Sequence, residues 1–307
     1  MRRLLSALVA LALIAAACGD DTMPDEPAAE ATSTSTTAAP ATTAAPTTTA
    51  ETTTSTTTTT EAPILEIGIG ELVEYGDAPQ QVGQLRLPTD AGEGPFPVIA
   101  FIHGGFWRNA FDSSLSEPQA ADARSKGYAT WNIEYRRVGD EGGGYPGTLD
   151  DIDTAIDALA RIDAPLDLDR VFVVGHSAGG HLALWVGQRD DPVVTPALVV
   201  GQAPVADLGA SLDLGRDAVE QFMGGRPAQI PDAYAAADPA RQLPVKVPQL
   251  IVHGLLDDIV PLEVVAPYVA EAGDGVELMV FAEENHFDVI DPMSASWEAV
   301  LAAIAAI

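Results

Sequence analysis

Short, uninterrupted apolar runs punctuate the chain from residue 98 onward. Val98–Ile102, Ala129–Tyr135, Val171–Val174, Ala197–Val200 and Gln249–Val252 are bounded by Gly or Pro. Continuous apolar runs of this length are what strands buried on both faces of a parallel sheet require. Val276–Phe281 predicts one more strand. Ahead of these, Leu65–Glu74 and Gln81–Leu87 alternate apolar with polar residues, which predicts a half-exposed antiparallel pair. Helical periods lie between the strands. Leu149, Ile152, Ile156 and Leu159 form one apolar stripe, with Asp150, Asp151 and Asp153 near the positive end of the helix dipole. His181–Gln188 reads as a second helix. Met293–Ile307 reads as the last, burying Trp297, Val300, Leu301 and Ile304. Strands alternating with helices predict an α/β fold, a mostly parallel sheet with helices on both faces. Asp207–Leu243 breaks the alternation with Gly, Pro and isolated apolar residues, which predicts an irregular, lid-like insertion.

The N-terminal fifth follows a different pattern. After Met1-Arg2-Arg3, the run Leu4–Ala17 is apolar or small except for Ser6. That is too short to span a bilayer and has the length of a secretory signal core. It ends Ala15-Ala16-Ala17-Cys18-Gly19, which resembles a bacterial lipoprotein signal, with Cys18 as the lipid attachment point; a plain signal cleaved nearby is the alternative. Residues 19–63 are rich in Thr, Ala and Pro, with no aromatic residue, so they cannot offset the entropy of ordering. This predicts a stalk with a reach of about 35–40 Å. The domain plan is therefore a signal over 1–18, a stalk over 19–63 and one folded body over 64–307. The protein is expected to be exported and anchored at the cell surface, or else secreted, touching the membrane only through its N-terminal lipid.

Charge narrows the partners. The 307 residues hold 45 acidic and 15 basic side chains, a net charge of −30. Residues 64–307 alone keep 13 basic against 38 acidic ones, net −25. Such a surface repels phosphate backbones, which argues against nucleic-acid binding and leaves neutral or cationic small molecules open. One cysteine excludes an internal disulfide. No metal-ligand spacing, phosphate loop or dinucleotide fingerprint is present, so no cofactor is expected.

The candidate chemistry lies at strand ends. Gly175-His176-Ser177-Ala178-Gly179 sits between the strand Val171–Val174 and a helix, the context of a nucleophile elbow. A serine hydroxyl needs a base, and the base needs a carboxylate, in the order Ser, Asp, His along the chain. Asp257, with Asp258 as rival, follows the strand ending at Val252, and His286 follows the strand ending at Phe281. His103-Gly104-Gly105-Phe106-Trp107 ends the strand Val98–Ile102 and supplies backbone N–H groups for an oxyanion. The expected donors are Ala178, Gly105 and either Gly104 or Phe106. Trp107 and Phe106 are candidate pocket walls. His103 is expected to hold its loop by hydrogen bonds, and His176, His181 and His253 to be structural.

These motifs together resemble the α/β-hydrolases. The resemblance is to the esterase branch with an H-G-G-x-W oxyanion loop, which includes kynurenine-formamidase-like and feruloyl- or acetyl-xylan-esterase-like enzymes. It is carried by His103–Trp107, Glu134-Tyr135-Arg136, Asp169–Ala183, His253–Pro261 and His286. It implies Ser177 as nucleophile, Asp257 as acid and His286 as base of an ester hydrolase. Gly139–Gly144 departs from the pattern at the rim of the site. Formamide hydrolysis and small-peptide hydrolysis are alternative activities. A binding protein on a hydrolase scaffold is the alternative from another class, distinguishable by failure to react with a fluorophosphonate.

Overall fold

A computed structural model describes residues 64–65, 71–88 and 92–307. The expected signal over 1–18, with Cys18, and the expected stalk over 19–63 lie outside the described residues. Eight strands form one sheet: β1 (Leu72–Glu74), β2 (Val82–Arg86), β3 (Phe96–Ile102), β4 (Ala129–Ile133), β5 (Leu166–His176), β6 (Leu198–Gln202), β7 (Gln249–Gly254) and β8 (Val276–Phe281). Their spatial order is β1-β2-β4-β3-β5-β6-β7-β8. β1 and β2 pair antiparallel with each other, and β2 pairs antiparallel with β4. All later pairs are parallel.

Alternate residues of the central strands feed two separate cores, as the period of a strand demands. Val98, Ala100 and Ile102 of β3 join α2 (Gly147–Ala158), α3 (Ala178–Val186) and α6 (Leu262–Ala272) on one face. Ile99 and Phe101 join α1 (Glu117–Ser125) and α7 (Ala295–Ala305) on the other. The sheet is thus covered on both sides, which is why its strands read as unbroken apolar runs.

Two elements differ from the sequence expectation. β5 runs back to Leu166 because the polar stretch Asp167–Arg170 continues alongside the start of β3 at the solvent end, past a register shift at Pro97/Val98. Residues 207–243 are not irregular throughout: they hold α4 (Ala218–Met223) and α5 (Pro231–Ala237). Val219, Phe222 and Tyr234 of this segment are fully buried, and its carbonyls accept from Tyr145 N–H and from the side chains of Arg108, His181 and Trp185. It is a packed cap.

Candidate active site

The parallel strands deliver every candidate group to their C-terminal edge. β5 ends in His176, and the chain turns sharply into α3 at Ser177, whose backbone is held at φ 55°, ψ −119°. A non-glycine residue in that region costs roughly 1–3 kcal/mol and persists only where neighbours fix it. The fixing groups are the Gln202 carbonyl, which accepts from Ser177 N–H (2.9 Å), and Val205 N–H, which donates to the Ser177 carbonyl (3.2 Å). The flanking glycines permit the turn. A Cβ on Gly179 would lie 2.2 Å from the Ile102 carbonyl oxygen, and one on Gly175 would lie 2.1 Å from that of Gly179.

Asp257 leaves the end of β7 buried, 8% exposed. Its Oδ1 accepts from the N–H groups of Ile259 (2.9 Å) and Val260 (2.8 Å), and its Oδ2 accepts from His286 Nδ1 (2.7 Å). Burial works to raise the pKa of this carboxyl. The His286 hydrogen bond and charge, with the two backbone donors, outweigh burial and hold it below the ordinary carboxylate range. Asp258 is exposed and makes no such contact.

The remaining four histidines of the chain all brace this constellation. His176 Nε2–H donates to the His286 carbonyl (2.9 Å), and the two rings lie 4.6 Å apart. His253 Nε2–H donates to the carbonyl of Val260, the residue whose N–H binds Asp257 (3.0 Å). His181 accepts from Trp107 Nε1 at Nδ1 (3.3 Å) and donates from Nε2 to the Ala237 carbonyl (2.8 Å), linking the oxyanion loop to the cap. Burial drives the pKa of His176 down to about 3 and that of His181 to about 4, and it lowers that of His253, so all three are neutral.

His103 Nδ1 donates to the Gly104 carbonyl (2.7 Å). In a trans peptide the N–H points opposite to the C=O, so this bond aims Gly105 N–H away from His103. The loop crosses the elbow closely, since a Cβ on Gly104 would lie 3.1 Å from Ser177 Cβ. Among the described residues, no protein acceptor takes the N–H of Gly105 or Phe106. Ala178 N–H is in the first turn of α3, where helix geometry provides no partner. These N–H groups are the ones the sequence offered as oxyanion donors. The loop is itself strained, with φ of 57° at Phe106 and 53° at Trp107. A turn bond from Arg108 N–H to the Gly105 carbonyl (3.0 Å) and a bond from Val138 N–H to that of Trp107 (2.8 Å) hold it. Behind it, Tyr135 OH donates to the His103 carbonyl (2.7 Å). Glu134 lies 3.4 Å from His103 Nε2 and 2.8 Å from Arg137.

Trp107, expected as a pocket wall, is instead in the core at 1% exposure, stacked on Phe222 of α4 at 4.7 Å. The left-handed backbone turns its ring inward, away from any substrate. Phe106 stays at the rim, against Gly215 of the cap. Two features had no sequence signal. Arg108 binds the carbonyls of Gly215 and Arg216 (both 2.9 Å) and the Gln221 side chain (3.2 Å), latching the cap to the oxyanion loop. A cleft of about 430 Å³ opens beside His286, lined by Leu256, Asp258, Ile259, Asn285 and Phe287. The glycine-rich stretch at 139–144 is tied to the same cap, where Tyr145 N–H donates to the Phe222 carbonyl (2.8 Å).

A mostly parallel sheet with a serine elbow after its fifth strand, and carboxylate and histidine after its last two, defines an α/β-hydrolase. The chain belongs to the BD-FAE family, whose model matches residues 84–266. Esterase LipC of Mycobacterium tuberculosis is 26% identical over 212 residues, covering 62% of this chain and 52% of that protein. Kynurenine formamidase avaC of Aspergillus versicolor is 36% identical over 128 residues, 37% of this chain and 42% of that protein. The chain thus spans about half the length of these relatives. Among solved structures, esterase B from Lactobacillus rhamnosis superposes with a TM-score of 0.63 at 21% identity, covering 76% of this chain and 82% of that one.

Proposed function

We propose that this protein is a carboxylic-ester hydrolase working by a two-step Ser-His-Asp mechanism. Ser177 attacks the ester carbonyl as His286 takes its proton, and the oxyanion is held by N–H groups of Ala178, Gly105 and Phe106. Asp257, ionised and fixed by two backbone donors, stabilises the imidazolium. His286 then gives its proton to the departing alcohol, and water repeats the attack on the acyl-enzyme. The observation that carries this reading is the 2.7 Å bond between His286 and Asp257 beside a strained serine elbow. Family membership and relatives named as esterases support esters as the substrate class. Ser177→Ala should lose on the order of 10⁶ in kcat on 4-nitrophenyl acetate and all labelling by a fluorophosphonate. Retention of more than about 1% of the rate would refute the assignment.

The match to a kynurenine formamidase supports a second reading, hydrolysis of aryl formamides by the same groups. Turnover of N-formylkynurenine against that of phenyl acetate separates the two. The N-terminal pattern supports export with Cys18 lipidated and residues 19–63 as tether. Mass spectrometry of the membrane-extracted N-terminal peptide tests this: a diacylglyceryl group on Cys18 supports it, and a chain beginning elsewhere refutes it.

A further inference from the structure

The base delivers its proton to the leaving alcohol, so the alcohol portion of an ester lies on the His286 side of the serine. His286 is itself one wall of the cleft of about 430 Å³. Leu256, Ile259 and Phe287 give it apolar, open walls beside the polar Asp258 and Asn285, with Phe287 57% and Leu256 60% exposed. Its one acidic side chain is Asp258, which forms no ion pair among the described residues. The surrounding chain is anionic as well. Lys246 is the last Lys or Arg, and the Asp and Glu residues from Val247 to Ile307 have no Lys or Arg among them. That segment builds both the acid loop and the base loop. Arg108 lies over the Phe106 ring at 5.8 Å in the loop after β3, and Arg216 is exposed in the cap.

We propose that the cleft selects esters whose alcohol portion carries a positive charge, a primary or quaternary ammonium, held by the Phe287 ring and the Asp258 carboxylate. An open aromatic face attracts a cation through its quadrupole, and an unpaired carboxylate beside it adds direct attraction. The two together are worth about ten-fold in kcat/KM at a partly exposed site. An anionic alcohol portion meets the same carboxylate, and the acidic loops behind it, as repulsion.

The inference rests on the esterase reading. It is tested with the full-length protein and two isosteric substrates, the acetate ester of choline and the neutral 3,3-dimethylbutyl acetate. The expected result is a kcat/KM ratio of about ten in favour of the choline ester at low salt, shrinking as ionic strength approaches about 1 M. Asp258→Asn and Phe287→Ala should each reduce the ratio to about three. Because the readout is a ratio within one preparation, partial misfolding of a variant does not mimic it. A ratio of one or less in the parent protein, or a ratio unchanged in both variants, overturns the inference. Cleavage of the neutral ester without preference removes this inference alone. Absence of cleavage of either ester, and of 4-nitrophenyl acetate, removes the esterase reading with it.

Discussion

Replacing His181 with glutamine should flatten the acid-side fall in stability while leaving the fold in place. His181 is fully buried, with one ring nitrogen accepting from Trp107 and the other donating to the Ala237 carbonyl. Burial disfavours the charged imidazolium and drives the pKa down to about 4, and a proton on Nδ1 would in addition face the Trp107 N–H. The unfolded chain keeps a value near 6.5. Between those values the unfolded state binds more protons than the folded state, so this histidine lowers stability as pH drops. Worked from pH 7 to pH 5, the loss is about 1.8 kcal/mol from His181 alone. Glutamine can keep one donor and one acceptor but does not titrate. His181→Gln should cost about 1–2 kcal/mol at pH 7, and its stability curve from pH 7 to 5 should be shallower than the parent's by about 1.8 kcal/mol. Urea denaturation at several pH values measures this. With a slope of about 3 kcal/mol per molar, the difference is roughly 0.6 M in midpoint. Taking the difference between variant and parent cancels the large, opposite effect of neutralising a chain of net charge −30. Parallel curves for the two proteins, within about 0.5 kcal/mol, would refute the reasoning.

Three further outcomes follow from the site. Asp257→Asn removes the acceptor that fixes the His286 tautomer and should lower kcat on an activated ester by about 10⁴, measured by stopped assay at neutral pH. Gly179→Ala places a Cβ 2.2 Å from the Ile102 carbonyl oxygen, so the elbow must open. The melting temperature should fall by several degrees, on the scale of a loss above about 3 kcal/mol. Arg108→Ala cuts the latch to Gly215 and Arg216, and hydrogen exchange should rise across residues 213–221 while α3 stays protected.

The central strands and the elbow were legible because their determinants are local. An unbroken apolar run forces a strand covered on both faces, and glycines flanking a serine between strand and helix leave few other backbones. Asp257 and His286 were legible by chain order, since each follows its strand by a few residues. Trp107 was not, because a ring beside an oxyanion loop points to cleft or core according to one backbone angle. Here that angle is a left-handed φ, stabilised by Phe222 more than a hundred residues away. The cap was unreadable for a different reason. Helices of six and seven residues are too short to show a 3.6-residue period, and their buried Phe222 and Tyr234 stand isolated in sequence. α1 was hidden similarly, burying only Gln119, Ala120 and Ala123. The latching role of Arg108 depends on two carbonyls of a distant loop, and no side-chain pattern encodes a backbone acceptor.

The placement of the histidines has a spectroscopic consequence. All five imidazoles of the chain lie at the C-terminal edge of the sheet, His286 bonded to Asp257 and the other four bonded to the loops around them. Protein grown with nitrogen-15 histidine would therefore give an imidazole spectrum with no background from the rest of the molecule. The nitrogen shifts of His176, His181 and His253 would report the three Nε2–H tautomers directly. An inhibitor bonded to Ser177 would register at His286 and at His176 across the shared carbonyl, so assembly and occupancy of the site could be followed without any substrate turnover.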